Sequence, residues 1–203
     1  MNRPIAVIVL AASIGCAAST IGPLTVRLQY TTAADPVDFP LLQACAAVSA
    51  VQASDSRGDS TLGTRFLEKA PNATHQVMSS GDVVAWARSG AEQALRRAQM
   101  EIGKSSAPIL QLAVENIVTE ETVFRRAEYD ARVALLAELH PAKGEPPCWQ
   151  ERVEGSAENY GYAGSTENYQ ETVNHALDRA MIRVLNSDGF KNAVCSCAPK
   201  SGL

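Results

Sequence analysis

Five cysteines carry the most reactive side chains of this chain: Cys16, Cys45, Cys148, Cys195 and Cys197. Cys16 stands apart, at the end of an apolar run near the N-terminus. The other four make an even number, which in an oxidising compartment reads as a disulfide framework. Cys195 and Cys197 are one residue apart, so a bond between them would need strained geometry. The spacing favours Cys148 joined to Cys195 or to Cys197, tying the C-terminal tail to the body. Closing a loop of about 50 residues would contribute around 4 kcal/mol in the chain-entropy model. Four cysteines allow three pairings, and Cys45 can also be a buried free thiol. A zinc site on Cys195-Ser196-Cys197 is disfavoured, because a tetrahedral site wants a wider first pair and two further ligands. No metal and no cofactor is expected.

Other chemistry finds little support. His75, His140 and His175 are scattered, and no His-x-x-His or His-Glu-x-x-His pattern occurs. A Gly-x-Ser-x-Gly elbow, a P-loop and a dinucleotide fingerprint are all absent. His175 and Asp178 share a helix face and read as an exposed i,i+3 contact. Glu120-Glu121 reads as a solvated turn. The chain is expected not to be an enzyme.

One constellation is unusual. Gly155-Ser-Ala-Glu-Asn-Tyr160 is echoed by Gly164-Ser-Thr-Glu-Asn-Tyr169, five of six positions matching. Two short copies cannot build a solenoid, which needs several longer repeats. In one reading the copies are local duplications at a strand-to-helix junction, each Gly-Ser supplying a turn or cap. In the other, Glu158, Asn159, Tyr160, Glu167, Asn168 and Tyr169 form a polar-aromatic binding surface for glycan or protein, tyrosine giving rigid contact area and asparagine adaptable hydrogen bonds.

The N-terminus reads as an address. Arg3 precedes a run of apolar and small residues from Ile5 to Ile14, far short of the ~20 residues a transmembrane helix needs. A charged start, a short apolar core and small residues describe a secretory signal. Ser13-Ile14-Gly15-Cys16 resembles the lipobox of bacterial lipoproteins, with Ser13 standing where Leu is usual. That resemblance implies residues 1–15 as signal peptide, Cys16 as the lipid attachment site, and Ala17 directing the product to the outer membrane. Cleavage after Ala18 and a Cys16 that merely belongs to the apolar core are the alternatives. Removing residues 1–15 deletes Arg3 and no acid.

The rest is ordinary in composition. The 203 residues are 46 % hydrophobic and 20 % charged, with a formal charge of −4. No surplus of Lys and Arg is available to neutralise phosphates, so nucleic acid is excluded as a partner. One domain is expected. Residues 16–23 read as a tether, and 24–203 as the domain with a short C-terminal tail.

The elements follow from periodicity. Leu24, Val26, Leu28 and Tyr30 alternate as a half-buried strand. Cys45 to Ala53 reads as a buried strand closed by a turn at residues 55–59. Thr61 to Glu68 and Ala73 to Met78 read as short strands. Ser80 or Asp82 can cap a helix whose stripe includes Val84, Ala87, Ala91, Ala94 and Leu95, with Gly103 ending it. A strand from Pro108 to Val118 slips its alternation near Asn116, as at a bulge. Glu120-Glu121 then suggests a hairpin into a strand from Thr122 to Leu139, for which a helix over 125–139 competes. Cys148 to Val153 begins a third strand. A last helix runs from about Thr166 to Asn186, with Ser165 as N-cap and Gly189 beyond its end. The fold class is therefore α+β, a mostly antiparallel sheet with two main helices packed on one face.

This layout resembles the YajG-like family of bacterial lipoproteins. The resemblance rests on Cys16, the strand around Leu24–Leu28, the strand ending Asp55-Ser56-Arg57, the helix–strand-pair–helix order and the terminal helix beginning Asn168-Tyr169-Gln170. It implies an outer-membrane lipoprotein on the periplasmic side, held by its lipid anchor, non-catalytic, and acting as an accessory or binding subunit for an envelope protein. Peptidoglycan binding is the alternative, and a periplasmic enzyme the weaker third. No catalytic residue carries over.

Overall fold

Alternation of buried and exposed side chains builds the three longest strands, and their register orders the whole molecule. The computed structural model describes residues 23–32, 38–42, 45–67 and 74–197. In chain order the elements are β1 (Leu24–Arg27), β2 (Ala47–Val48), β3 (Ala50–Asp55), β4 (Thr61–Leu67), β5 (Thr74–Ser80), α1 (Val83–Arg97), β6 (Glu101–Ile102), β7 (Ile109–Val123), β8 (Ala127–His140), β9 (Trp149–Gly161), α2 (Thr166–Asn186) and α3 (Asp188–Ser196). The main sheet runs β1-β5-β4-β7-β8-β9, and β3 pairs with the first half of β7 on the side that β4 takes further along. The long β7–β8 and β8–β9 ladders and the short β4–β5 ladder are antiparallel. The pairs β1–β5, β3–β7 and β4–β7 are parallel.

A register shift between Val114 and Asn116 is the bulge that the broken alternation implies. Because of it, Leu110, Leu112 and Val114 before the shift and Ile117, Thr119 and Glu121 after it point into the same core. Opposite them Tyr129, Ala131, Val133, Leu135, Ala137 and Leu139 are buried, so β8 is a strand and the helical alternative for 125–139 falls.

The helices α1 and α2 cover that face, and Trp86, Leu95, Leu177, Met181 and Val184 join one continuous core with the strands. Asp82 caps α1, its side chain accepting from the Ala85 N–H at 2.9 Å. Ser165 caps α2, accepting from Asn168. The fold is α+β with the helices on one sheet face. The other face is open and largely polar, with Glu120, Asp130 and Glu158 among its side chains and Val118, Phe66 and Tyr160 exposed on it.

Several local expectations are corrected. Gly103 does not end α1, which stops at Arg97, because Glu101–Ile102 pairs with Ala47–Val48 first. Glu120 and Glu121 do not form the hairpin. β7 continues through them to Val123, and the turn falls at Phe124–Arg126, where the Phe124 N–H donates to the Arg126 carbonyl. Gly189 lies beyond the end of α2, as its spacing implies, but the chain does not continue as a tail there: residues Asp188–Ser196 form a further helix, α3.

Disulfides fasten α3. Cys148 bonds Cys197 and Cys45 bonds Cys195, with Cα atoms 6.0 and 5.1 Å apart. Cys45 is thus not a free thiol: the turn before β2 brings it beside the last turn of α3.

Register also polarises the molecule. One end of the sheet gathers the end of β4, the β7–β8 hairpin, the end of β9 and the first turn of α2. The opposite end holds the start of β7, both disulfides and α3.

Candidate functional site

The doubled segment falls on two unlike elements. Gly155 to Tyr160 lies within β9, so strand alternation divides it. Glu158 and Tyr160 point to the open sheet face, while Asn159 points toward α2 and donates to Glu171 at 3.0 Å. Gly155 supplies no turn: a Cβ there would come within 2.0 Å of the Ala176 carbonyl oxygen, so the glycine lets α2 lie against β9. The second copy does cap a helix. Gly164 takes φ +71° and Ser165 caps α2.

The six residues expected to share a surface do not. Tyr169 is 1 % exposed and belongs to the core. Glu167 is exposed and accepts from the Ser165 hydroxyl, on the helix side of the junction. Asn168 packs against Gly161. Cys16 lies outside the described residues.

Beneath the junction is a buried polar network centred on Glu121, which is fully buried and not part of a solvated turn. Past the bulge, Glu121 falls on the core parity, opposite Tyr129 on β8 and Arg65 on β4. The Arg65 Nε donates to its Oε2, as does the Tyr169 hydroxyl at 2.9 Å. The Gly164 N–H donates to its Oε1 at 2.6 Å. The Tyr129 hydroxyl lies between that oxygen, at 3.2 Å, and the Tyr162 carbonyl, and accepts from the Ser165 N–H at 3.1 Å. Rings of Tyr129 and Tyr169 meet edge to face at 4.9 Å. Burial first, then the Glu121 charge, pushes the Tyr169 phenol up; the Tyr129 phenol is pushed up mainly by burial. The network holds the 162–165 turn in place and so positions Tyr162.

Above the network the sheet end is aromatic and exposed. Phe66, Thr122, Glu128 and Tyr160 occupy one cross-strand row on the open face. Phe66 is 40 % exposed, Tyr160 45 %, Phe124 65 % at the hairpin and Tyr162 89 %. The Arg126 guanidinium sits 4.1 Å from the Tyr160 ring centroid. The Tyr160 hydroxyl donates to Glu128 at 3.1 Å, which raises its phenol pKa. The next row along the open face is acidic: Glu120, Asp130 and Glu158 align. Burial, reinforced by Glu158, Glu128 and Glu120, holds the Asp130 carboxyl above the usual range.

A second polar cluster joins α2 to the chain after β1. The Tyr30 hydroxyl donates to Asp178 at 2.7 Å, and Arg97 lies 3.7 Å from the same carboxylate. Asp178 is 1 % exposed, so the expected surface contact with His175 is corrected: this face of α2 is covered by α1 and residue 30. The neighbouring cleft of about 280 Å³ is lined by Gln170, Asn174 and His175 among others. Gln170 and Asn174 in it donate to the Gln29 carbonyl, so they strap the chain down. Among the described residues no group of three His, Cys, Asp or Glu is arranged to hold a metal ion.

Sequence reasoning missed Phe66, Phe124, Tyr162, Arg65 and Glu121. Continuing the post-bulge alternation from Ile117 and Thr119 to Glu121 would have pointed that acid inward.

No family model matches the chain, and no curated protein matches it. Among solved structures, the chain is similar to protein XCC0632 from Xanthomonas campestris, described under the family label DUF330. The two share 11 % identity over 86 % of this chain and 97 % of that one, with a TM-score of 0.49.

Proposed function

We propose that this chain is a YajG-like cell-envelope lipoprotein, anchored by lipid at Cys16 in the outer membrane and serving as a non-catalytic accessory subunit. The observation that supports it is the cysteine arithmetic. Cys45, Cys148, Cys195 and Cys197 are consumed in two long-range disulfides, the state of a protein in an oxidising compartment. Cys16 is left over at the end of the apolar run, in the sequence that resembles a lipobox. The buried acids Glu121 and Asp178 are engaged by Arg65 and by Tyr30 inside the core, which suits structure better than turnover. A glycan platform using Tyr160 and Tyr169 together is weakened by the burial of Tyr169.

Mass spectrometry of the mature N-terminus tests the reading. The expected species begins at Cys16 with a diacylglyceryl thioether and an acylated amine, and Cys16→Ala releases the protein from the membrane fraction. An unmodified chain beginning at Ser19 overturns it.

A further inference from the structure

Four of the six large apolar or aromatic side chains left exposed among the described residues stand at one end of the sheet: Phe66, Phe124, Tyr160 and Tyr162. Arg125 and Arg126 are exposed in the same hairpin. Strand direction brings the start of β1 toward that end as well. β1 runs parallel to β5, away from the aromatic end, and Leu24 is in register with Val77. Val77 leads through Gly63 and Thr119 to Ala131 and Ala157. The row of Phe66, Thr122, Glu128 and Tyr160 lies three residues beyond, roughly 10 Å.

Chain length decides the orientation. The eight residues from Cys16 to Pro23 span at most about 27 Å. The disulfide end, at Ile109, lies ten residues from Thr119 along β7, roughly 33 Å in the opposite direction. A lipid on Cys16 can bring the aromatic end to the bilayer and cannot bring the disulfide end there.

We infer that this end is a membrane-contacting face: Phe124, Tyr162 and Phe66 sit at the headgroup level of the bilayer, and Arg125 and Arg126 meet anionic headgroups. The polar-tipped ring of Tyr162 favours the membrane–water interface, the hydrocarbon rings of Phe124 and Phe66 supply apolar area for the headgroup–acyl boundary, and basic side chains are drawn to anionic lipid. The open sheet face is unsuited to lie flat on such a surface, because Glu120, Asp130 and Glu158 line it in one row. Contact is end-on, and leaves that acidic face directed sideways into the aqueous space. The inference takes its anchor from the lipoprotein reading above, but the contact itself does not need the lipid.

Phe124→Trp in the full lipidated chain, reconstituted into phosphatidylcholine–phosphatidylglycerol vesicles, tests it. The added fluorescence is expected to be blue-shifted and quenched by lipids brominated near the headgroup. Fluorescence that stays water-like, or that is shielded only when an envelope protein is added, overturns the inference. The unlipidated Cys16→Ala chain separates the two readings. It is expected to bind the same vesicles weakly, and Phe124→Ser with Tyr162→Ser to lower that partition about tenfold or more. An unchanged partition, with circular dichroism showing the variant folded, also overturns the inference. An unmodified Cys16 in the mature protein defeats the anchor alone.

Discussion

Arg65 and Glu121 face each other across the parallel β4–β7 pair, and both side chains are buried, at 4 % and 0 % exposure. This ion pair with its two tyrosines forms the floor on which the 162–165 turn stands. A buried charge is tolerated here because hydrogen bonds satisfy both carboxylate oxygens.

Removing one partner should therefore cost more than removing both. Glu121→Gln removes the carboxylate charge that faces the Arg65 guanidinium across the strand pair, with an expected loss of about 3–5 kcal/mol. Arg65→Met with Glu121→Leu should be milder than Glu121→Gln alone. Urea unfolding of the three proteins reads the order. A double variant as unstable as Glu121→Gln would show that the charge is not what matters.

Gly155→Ala tests the β9–α2 approach. Its Cβ would fall 2.0 Å from the Ala176 carbonyl oxygen and 2.3 Å from the Ala180 nitrogen. Backbone atoms cannot swing aside, so α2 must lift along its length, with an expected cost of about 3 kcal/mol in the range of overpacked cores. Thermal unfolding measures it, and a drop under 1 °C would refute the close contact.

Cystine removal should destabilise more for the longer loop, with only a logarithmic dependence on its length. The chain-entropy relation assigns about 5 kcal/mol to the 150-residue separation of Cys45 and Cys195, and about 4 kcal/mol to the 49 of Cys148 and Cys197. Guanidinium unfolding of the two paired Cys→Ala variants checks this. Their N-terminal strands and α2 should stay folded, while proteolysis should become faster within α3.

The tyrosine network carries an alkaline signature. The Tyr169 and Tyr129 phenols are raised above the ordinary value of 10.0 in the native state. A raised phenol contributes stability fully present below the unfolded pKa and lost as pH rises toward the folded one. Stability should therefore fall as pH climbs above about 10, and Tyr169→Phe should flatten that fall. The variant should also lose about 1.5–3 kcal/mol at neutral pH, the worth of a hydrogen bond to a charged acceptor. Parallel pH titrations of urea midpoints decide it; equal alkaline slopes would refute the assignment.

Much of the scaffold was legible because it is written in local periodicity. The α2 stripe with its Ser165 cap, the alternation of β8 and the slip near Asn116 each depend on neighbours within a few residues. The candidate site was far less legible. Tyr160 and Tyr169 occupy equivalent places in the doubled segment, yet one is on an open strand face and the other in the core. The same motif lay in a strand once and across a helix cap once, and side-chain direction follows the element, not the motif.

By itself the sequence determined the alternation of the early strands, the stripes of α1 and α2 with the Ser165 cap, an even set of body cysteines and a Cys16 set apart. Only the tertiary structure decided that Cys45 meets Cys195, that Glu121 is buried while Glu120 is exposed, and that Phe66, Phe124 and Tyr162 share one end with the start of β1. The physical reason is register. Periodicity states which side of a strand a residue takes relative to its neighbours, but a single bulge inverts that parity. Which distant strands lie side by side is set by burying all their apolar faces at once.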